Sequence, residues 1–165
     1  MRFSLIDRID ELELGTRVAA VKSLTMAEEY LADHFPNFPV MPGVLMLEAM
    51  TQTAAWLIRA SEDFAHSMVT LRQANNVKYG QFIEPGQTLT VTAEIISQDD
   101  KETTLKAQGT VDGRACVSAR LVLARYNLAD SDPQEALADE AIVADLRQTY
   151  KLLNRPASSI PQTQA

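Results

Sequence analysis

Residues 34–58 read H-F-P-N-F-P-V-M-P-G-V-L-M-L-E-A-M-T-Q-T-A-A-W-L-I, a proline-rich loop that runs into an almost wholly apolar stretch. Pro42 stands at the junction, and proline is common at the first position of a helix. A helix that is apolar nearly all round belongs in the centre of a fold, so we expect a buried helix over residues 43–60. One carboxylate, Glu48, interrupts that helix, and ionisable residues are rarely buried without a partner or a task. His34, just upstream, is the nearby group that titrates close to neutral pH.

The rest of the chain up to about residue 126 is patterned mainly as β-strands. Two strands are indicated within residues 3–24, on either side of the Gly15-Thr16 turn. Later strands are expected at residues 68–79, 88–97, 103–110 and 115–124. Asp112-Gly113, between the last two, is a strong signal for a two-residue hairpin. One buried helix and a run of antiparallel strands predict an α+β fold in which a long antiparallel sheet wraps the helix.

Two further helices are expected. Thr25 can cap a short helix over residues 26–31, with Glu28 completing a capping box. Near the C-terminus, Ser131 or Asp132 can cap a longer helix. Its apolar residues recur with helical spacing at Ile142, Leu146, Tyr150 and Leu153. This amphipathic stripe predicts an added C-terminal helix that packs with one face.

Length, composition and charge limit the class of protein. The chain has 165 residues, 46% hydrophobic and 22% charged, which is typical of a globular domain. We expect a domain over residues 1–126, a helical extension over 127–154 and a disordered tail over 155–165. The net charge of −7 makes nucleic acid a poor partner. Cys116 is the only cysteine, which favours a reducing compartment, and one cysteine with two histidines supplies no usual metal-ligand set.

The chain shows no sign of a targeting or membrane segment. Its N-terminal residues are charged and lack the apolar core of a signal peptide, so we expect a cytoplasmic protein. The longest apolar run is interrupted by Glu48 and Gln52 and is too short to span a bilayer, so no membrane insertion is expected.

The stretch over residues 34–52 also resembles the signature of the β-hydroxyacyl-acyl carrier protein dehydratases of fatty-acid synthesis, a hotdog-fold family. L-I-D-R-I-D-E-L-E-L-G-T-R-V-A-A-V-K, residues 5–22, is similar to the opening strands of that family. V-K-Y-G-Q-F-I-E-P-G-Q-T-L, residues 77–89, is similar to its later strands. The resemblance covers roughly residues 3–125 and leaves out the C-terminal helix.

The resemblance implies a hotdog fold and an enzyme without a cofactor that acts on a 3-hydroxyacyl chain carried by acyl carrier protein. Family members form homodimers by joining two sheets edge to edge, and a trimer of dimers is left open. Their active sites are shared, with the histidine of one subunit facing the glutamate of the other. His34 and Glu48 match these two catalytic residues. Gly43 matches the glycine whose backbone N–H binds the thioester carbonyl.

The residue types suit this reaction. Removal of water from a 3-hydroxyacyl thioester needs a base for the C2 proton and an acid for the departing hydroxyl. Histidine, with an ordinary pKa of about 6.5, is a suitable base, and desolvation lets a carboxyl keep its proton. We therefore expect His34 to act as the base and Glu48, on the apolar helix, as the acid. Gln52 lies one turn after Glu48 and can orient its carboxyl.

Neighbouring residues have further expected roles. The candidates for lining an acyl tunnel are Phe38, Val40, Met41 and Met46. The carrier protein of this pathway is acidic, so docking on a chain that is itself acidic requires a local basic patch. Its possible contributors are Arg2, Arg72, Lys78 and Arg125.

Several alternatives stay open. Glu48 could be a buried ion-pair partner of Arg72 or Lys78. The chain could be a hotdog thioesterase, or a protein that binds acyl thioesters without turning them over. The C-terminal helix could pack on the sheet or a subunit contact, or it could dock another protein.

Overall fold

The computed structural model describes residues 3–155, and within that range it has six strands and two α-helices. The strands are β1 (Arg8–Glu13), β2 (Arg17–Ser23), β3 (Met68–Tyr79), β4 (Thr88–Gln98), β5 (Glu102–Val111) and β6 (Arg114–Tyr126). The helices are α1 (Gly43–Ser61) and α2 (Ala136–Leu153), and short 3-10 turns lie at Glu29–Ala32, Leu128–Asp130 and Pro133–Glu135.

All six strands form one antiparallel sheet in the order β1-β2-β4-β5-β6-β3. Helix α1 packs against strands β2 to β6 on the inner face of this sheet. Its sheet-facing side is made of small and apolar residues, of which Ala49, Met50, Ala54 and Leu57 are wholly buried. This arrangement confirms the predicted α+β hotdog-like fold, in which an apolar helix is buried by a surrounding sheet.

The strands follow their sequence patterns closely. In β5, the buried side chains of Leu105 and Ala107 flank the exposed Lys106, as expected for a sheet with one covered face. Strands β5 and β6 are joined by Asp112 and Gly113, whose φ values are 50° and 75°. Positive φ at both positions is the requirement of a type I′ turn, so the hairpin prediction is confirmed.

Helix α2 packs across the C-terminal end of α1. The ring of Tyr150 lies 6.2 Å from that of Trp56 and 5.5 Å from that of Phe64. Arg147 donates a hydrogen bond of 2.8 Å to Asp63 Oδ1 and places its guanidinium 4.8 Å from the Phe64 ring. The added helix therefore packs on its own chain, through an aromatic cluster that neither helix could bury alone.

A buried carboxylate, Asp139, ties the start of α2 to the sheet. It accepts hydrogen bonds of 2.9 Å from the backbone N–H groups of Leu128 and Ala129, and another from the Ser67 hydroxyl. Burial alone would raise the pKa of Asp139, but these three donors outweigh it and hold the pKa below its ordinary value. The carboxylate therefore stabilises the junction as an anion.

Two local predictions were wrong in detail. A 3-10 turn over Glu29–Ala32 replaces the short helix expected at 26–31. The capping box does not form because Glu28 is drawn into an ion pair of 2.6 Å with Lys22, a largely buried base. In α2, Val143 packs on the core in place of the expected Ile142, next to Leu146, Tyr150 and Leu153.

The cap predicted at Ser131 or Asp132 forms at Asp132, one 3-10 turn before α2 begins. Asp132 Oδ1 accepts a hydrogen bond of 3.0 Å from Gln134 N, and a 3-10 turn over Pro133–Glu135 leads into the helix. Most of the tail predicted to be disordered, residues 156–165, lies outside the described residues.

Candidate active site

The loop that carries His34 is held by its own backbone hydrogen bonds. Phe35 and Phe38 exchange N–H to carbonyl bonds of 3.2 and 2.9 Å, and Val40 N donates to His34 O at 3.1 Å. Met41 N then donates to Ile83 O at 2.9 Å, which anchors the end of the loop on the segment between β3 and β4. Pro36 and Asn37 form a turn between Phe35 and Phe38, so these bonds hold His34 in a defined position.

The imidazole of His34 is half-buried and its orientation is defined. Its Nδ1 lies 3.1 Å from the carbonyl oxygen of Val40, and the ring stacks on Phe35 with centroids 4.3 Å apart. A carbonyl oxygen can only accept, so Nδ1 carries the hydrogen of the neutral ring. The lone pair is then on Nε2, which is the nitrogen that could take a proton from a substrate.

Helix α1 begins at Gly43 with free donors. The first helical hydrogen bonds run from Leu45 N and Met46 N to Pro42 O, at 2.9 and 3.2 Å. The N–H groups of Gly43 and Val44 precede these bonds and lie at the positive end of the helix dipole. The ring of Tyr79 lies directly against Gly43, because a Cβ built there would come within 3.0 Å of Tyr79 Cε1. A residue without a side chain at position 43 avoids a close approach to this ring.

Glu48 is half-buried, one turn into the helix. Its Oε1 accepts a hydrogen bond of 2.9 Å from Gln52 Nε2, the contact that the spacing of these residues predicts. Glu48 is in no ion pair within residues 3–155, whereas Arg72 lies 3.8 Å from Glu102. The alternative that Glu48 is the buried partner of Arg72 or Lys78 therefore does not hold for this chain.

His34 and Glu48 of one chain do not contact each other through a hydrogen bond within the described part of the structure. His34 Nδ1 binds Val40 O, and Glu48 Oε1 binds Gln52. Both side chains nevertheless belong to one continuous segment, which consists of the His34 loop and the first turns of α1.

The four tunnel candidates divide into two groups. Val40, Met41 and Met46 are almost wholly buried in the core of the single chain. Phe38 is exposed and makes an edge-to-face contact with Phe82, with ring centroids 5.8 Å apart. Sequence reasoning did not single out Phe82 or Tyr79. The sequence signal was weak: Tyr79 is the last residue of β3, and Phe82 follows three residues later in the connecting segment.

Two other candidates for chemistry or binding have structural roles. Arg125, one of the residues considered for a docking patch, is buried and pairs with Glu62, so that expectation was wrong. Cys116 is buried and donates to Gly109 O at 3.2 Å, and burial raises the pKa of its thiol. A protonated, buried thiol is a poor nucleophile. Arg2 lies outside the described residues.

Known proteins share sequence and fold with this chain. A family model described as "FabA-like domain" matches residues 1–120. The chain belongs to the FabA-like family. A 3-hydroxyacyl-[acyl-carrier-protein] dehydratase FabZ from Janthinobacterium sp. strain Marseille is 35% identical over 132 residues, covering 78% of this chain and 85% of the relative. The FabZ protein of Clostridium novyi is 34% identical over 122 residues, covering 74% and 86%.

Among solved structures, the dehydratase heterocomplex ApeI:P from Xenorhabdus doucetiae superposes with a TM-score of 0.65 at 16% identity. The match covers 81% of this chain and 90% of that one. A hypothetical thioesterase from Streptococcus pneumoniae, solved with coenzyme A, superposes with a TM-score of 0.53 at 14% identity, over 72% and 84% of the two chains. These two solved structures share the fold of this chain.

Within residues 3–155, no helix is long and apolar enough to cross a membrane. The same part of the chain contains no group of three or more His, Cys, Asp or Glu side chains that could hold a metal ion.

Proposed function

We propose that this protein removes water from a (3R)-hydroxyacyl-acyl carrier protein thioester and gives the trans-2-enoyl thioester. His34 takes a proton from C2, and Glu48 donates a proton to the C3 hydroxyl, which leaves as water. The carbon–carbon double bond forms from the electrons of the broken C–H bond. The imidazolium and the carboxylate that remain are restored when a proton passes from His34 back to Glu48. This acyl-chain chemistry would take place in the cytoplasm, where the thiol of Cys116 stays reduced.

The observation that carries this proposal is the hydrogen bond between His34 Nδ1 and Val40 O. In the neutral ring this bond keeps the hydrogen on Nδ1 and leaves the lone pair of Nε2 free to act as a base. A histidine held in the opposite tautomer would present an N–H to the substrate and could not remove its proton.

The start of α1 and Glu48 supply the other two groups that the reaction needs. The free N–H groups at the start of α1 can bind the thioester oxygen, where negative charge develops as the C2 proton leaves. Glu48 lies on the same helix and is oriented by Gln52. Each copy of the loop and helix therefore supplies a base, an acid and an oxyanion site. In the proposed dimer, each active site combines groups from both copies.

The sheet supports a homodimer with shared sites. One edge strand, β1, is partly covered because Ile9 forms a bridge with Asn154 at the end of α2. The other edge strand, β3, is long and presents exposed residues along most of its length. An uncovered edge of this kind is a template for pairing with another strand, and a second copy of β3 is the partner we propose.

The surface beside this edge supports the same dimer. Exposed apolar side chains surround the helix start and the His34 loop, and Val44 (68%) and Phe82 (60%) are the most exposed of them. Phe35, Phe38 and Tyr79 belong to the same group. Contiguous exposed apolar surface usually marks an interaction site, so a second subunit that covers it would also seal the active site from water.

A basic groove on the outer face of the sheet supports docking of an acidic carrier protein. Lys106 on β5 lies directly opposite Arg120 on β6, and Lys78 on β3 lies opposite Ser118, two residues before Arg120. The three bases line one groove of about 380 Å³ that has no acidic residue in its lining. None of the three is in an ion pair within the described residues.

One residue of the basic groove, Lys78, is next in sequence to a residue that contacts the proposed active site. Lys78 points to the outer face, and the next residue, Tyr79, places its ring against Gly43 at the start of α1. A carrier protein held by these bases would therefore sit at the strand end that borders the active site. Like charges placed opposite one another destabilise a sheet, which is consistent with a surface that an anionic partner neutralises.

The experiment that tests the proposed reaction is hydration of a crotonyl thioester of acyl carrier protein, followed as loss of the ultraviolet absorbance of the conjugated double bond. We expect the wild-type protein to hydrate it, and His34→Ala and Glu48→Gln to lose this activity while they keep the wild-type Tm. His66→Ala, at a half-buried histidine paired with Glu62, and Glu94→Gln, at an exposed residue of β4, are matched controls and should stay active. Release of free thiol would indicate a thioesterase, and tight binding without turnover a binding protein.

A further inference from the structure

The side-chain amide of Gln52 makes three hydrogen bonds. Its Nε2 donates to Glu48 Oε1 at 2.9 Å and to the backbone carbonyl of Phe3 at 3.1 Å. Its Oε1 accepts from the backbone N–H of Leu5 at 2.9 Å. The residues at the start of the chain are thus connected to Glu48 through one side chain.

These contacts determine which way the amide points. The Phe3 carbonyl can only accept and the Leu5 N–H can only donate, so the amide cannot be rotated by 180° without two repulsive contacts. The N–H₂ group must therefore face Glu48. Because Nε2 has only donors, Glu48 Oε1 must be an acceptor in this contact and cannot carry a proton directed at Gln52.

The N-terminal segment is itself anchored. Leu5 and Ile6 are almost wholly buried, with 1% and 2% of their surfaces exposed. The backbone groups of Phe3 and Leu5 that hold the amide are therefore positioned by the core, although the side chain of Phe3 is exposed.

We propose that the segment Phe3–Leu5, acting through Gln52, keeps the acidic proton of Glu48 on Oε2, the oxygen left to face the substrate. This inference rests on the proposed role of Glu48 as the acid. A carboxylic acid can carry its proton on either oxygen, and an acid whose proton points away from the leaving hydroxyl is unproductive. Gln52 is a positioning residue, and the N-terminal segment supports it.

The test compares four variants by kcat and KM for crotonyl-carrier hydration. Gln52→Leu removes all three hydrogen bonds. Gln52→Glu keeps the volume and the acceptor for Leu5 N–H, but presents an oxygen to Glu48 Oε1 and draws the proton to that side. Deletion of residues 1–3, with Ser4 replaced by the initiating Met, removes the Phe3 carbonyl. Phe3→Ala is its matched control because it keeps that carbonyl.

We expect the truncation to lower kcat roughly tenfold, about the rate equivalent of one lost hydrogen bond, with KM within about twofold of wild type. Phe3→Ala should match the wild type. Gln52→Glu should lose more kcat than Gln52→Leu, whereas a merely structural role for Gln52 would make the isosteric Gln52→Glu the milder change. Wild-type kcat in the truncated protein, or the reverse order of the two Gln52 variants, would overturn the inference.

A second measurement needs no turnover. Hydrogen exchange at the Leu5 N–H should accelerate in Gln52→Leu and remain slow in Gln52→Glu and in the wild type. Unchanged protection in Gln52→Leu would show that the segment is not held by this amide. If the wild type did not hydrate the substrate, the proposed function would fail, and the exchange data would still decide whether Gln52 links the segment to Glu48.

Discussion

The ring of Tyr79 covers the start of α1 so closely that a Cβ on Gly43 would lie 3.0 Å from Tyr79 Cε1. Tyr79 is 52% exposed, so its ring can yield to an added methyl group. We therefore expect Gly43→Ala to change the free energy of unfolding by about 1 kcal/mol or less. The displaced ring or helix start should nevertheless lower kcat by at least about tenfold, because small shifts at a reacting centre are costly.

The double variant Gly43→Ala/Tyr79→Ala tests this steric explanation. It restores space at the helix start, so part of the lost kcat should return, while Tyr79→Ala alone shows what the ring itself contributes. Wild-type turnover in Gly43→Ala would contradict the proposed use of this helix start.

Shared active sites predict complementation between two inactive variants. In a mixed dimer of His34→Ala and Glu48→Gln, one of the two sites combines an intact histidine with an intact glutamate. Random exchange of subunits should therefore restore about a quarter of the wild-type hydration activity. The measurement is activity after mixing under conditions that allow exchange, with each variant alone as the control. No recovery despite proven exchange would mean that each site is built from one chain.

The basic groove predicts an effect that depends on the form of the substrate. Lys106→Glu/Arg120→Glu should raise KM about tenfold for a carrier-linked substrate, because it places negative charge against an acidic partner. Hydration of the same acyl group on a small thiol should be unchanged. Lys151→Glu, which changes an exposed base on α2, is the matched control. An equal loss with both substrates would place the defect in the site itself.

Asp139 predicts a pH dependence of stability. Its pKa is lowered in the folded state, since three hydrogen bonds outweigh the opposing effect of burial. Between the folded and unfolded pKa values the unfolded chain binds more protons, so stability increases with pH there. The contribution of Asp139 is complete above its unfolded pKa of about 3.9 and is lost as the pH falls through the lower, folded value.

We therefore expect Asp139→Asn to lower the Tm at pH 7, and the difference from wild type to shrink as the pH falls below about 4. Thermal unfolding followed by circular dichroism from pH 7 down to pH 3 measures both effects. Glu140→Gln, on the exposed face of α2, should behave like the wild type. A Tm difference that stays constant over the whole range would mean that this carboxylate does not carry the effect.

Local patterns were sufficient for the main elements of the fold. The apolar run after Pro42 predicted α1, and Asp112-Gly113 predicted the β5–β6 hairpin. The pattern was less informative where side chains had alternative partners. Glu28 pairs with Lys22 instead of capping a helix, and Arg125 is buried against Glu62 instead of forming part of a surface.

Local sequence patterns also predicted part of the candidate site. His34 and Glu48 stand out because ionisable groups are rare beside so apolar a segment, and Gln52 follows from helical spacing. Tyr79 and Phe82 carried no comparable signal, since aromatic residues at a strand end are common in any sheet.

The sequence by itself determined the order of the helices and strands, the burial of α1, and the short-range contact between Glu48 and Gln52. These depend on the period of the backbone and on residues a few positions apart. Only the tertiary structure decided that Phe3 and Leu5 hold Gln52, that Tyr79 covers Gly43, and that Lys78, Lys106 and Arg120 meet in one groove. Such contacts join distant parts of the chain, and they exist only once strand register and helix position are set by packing of the whole core.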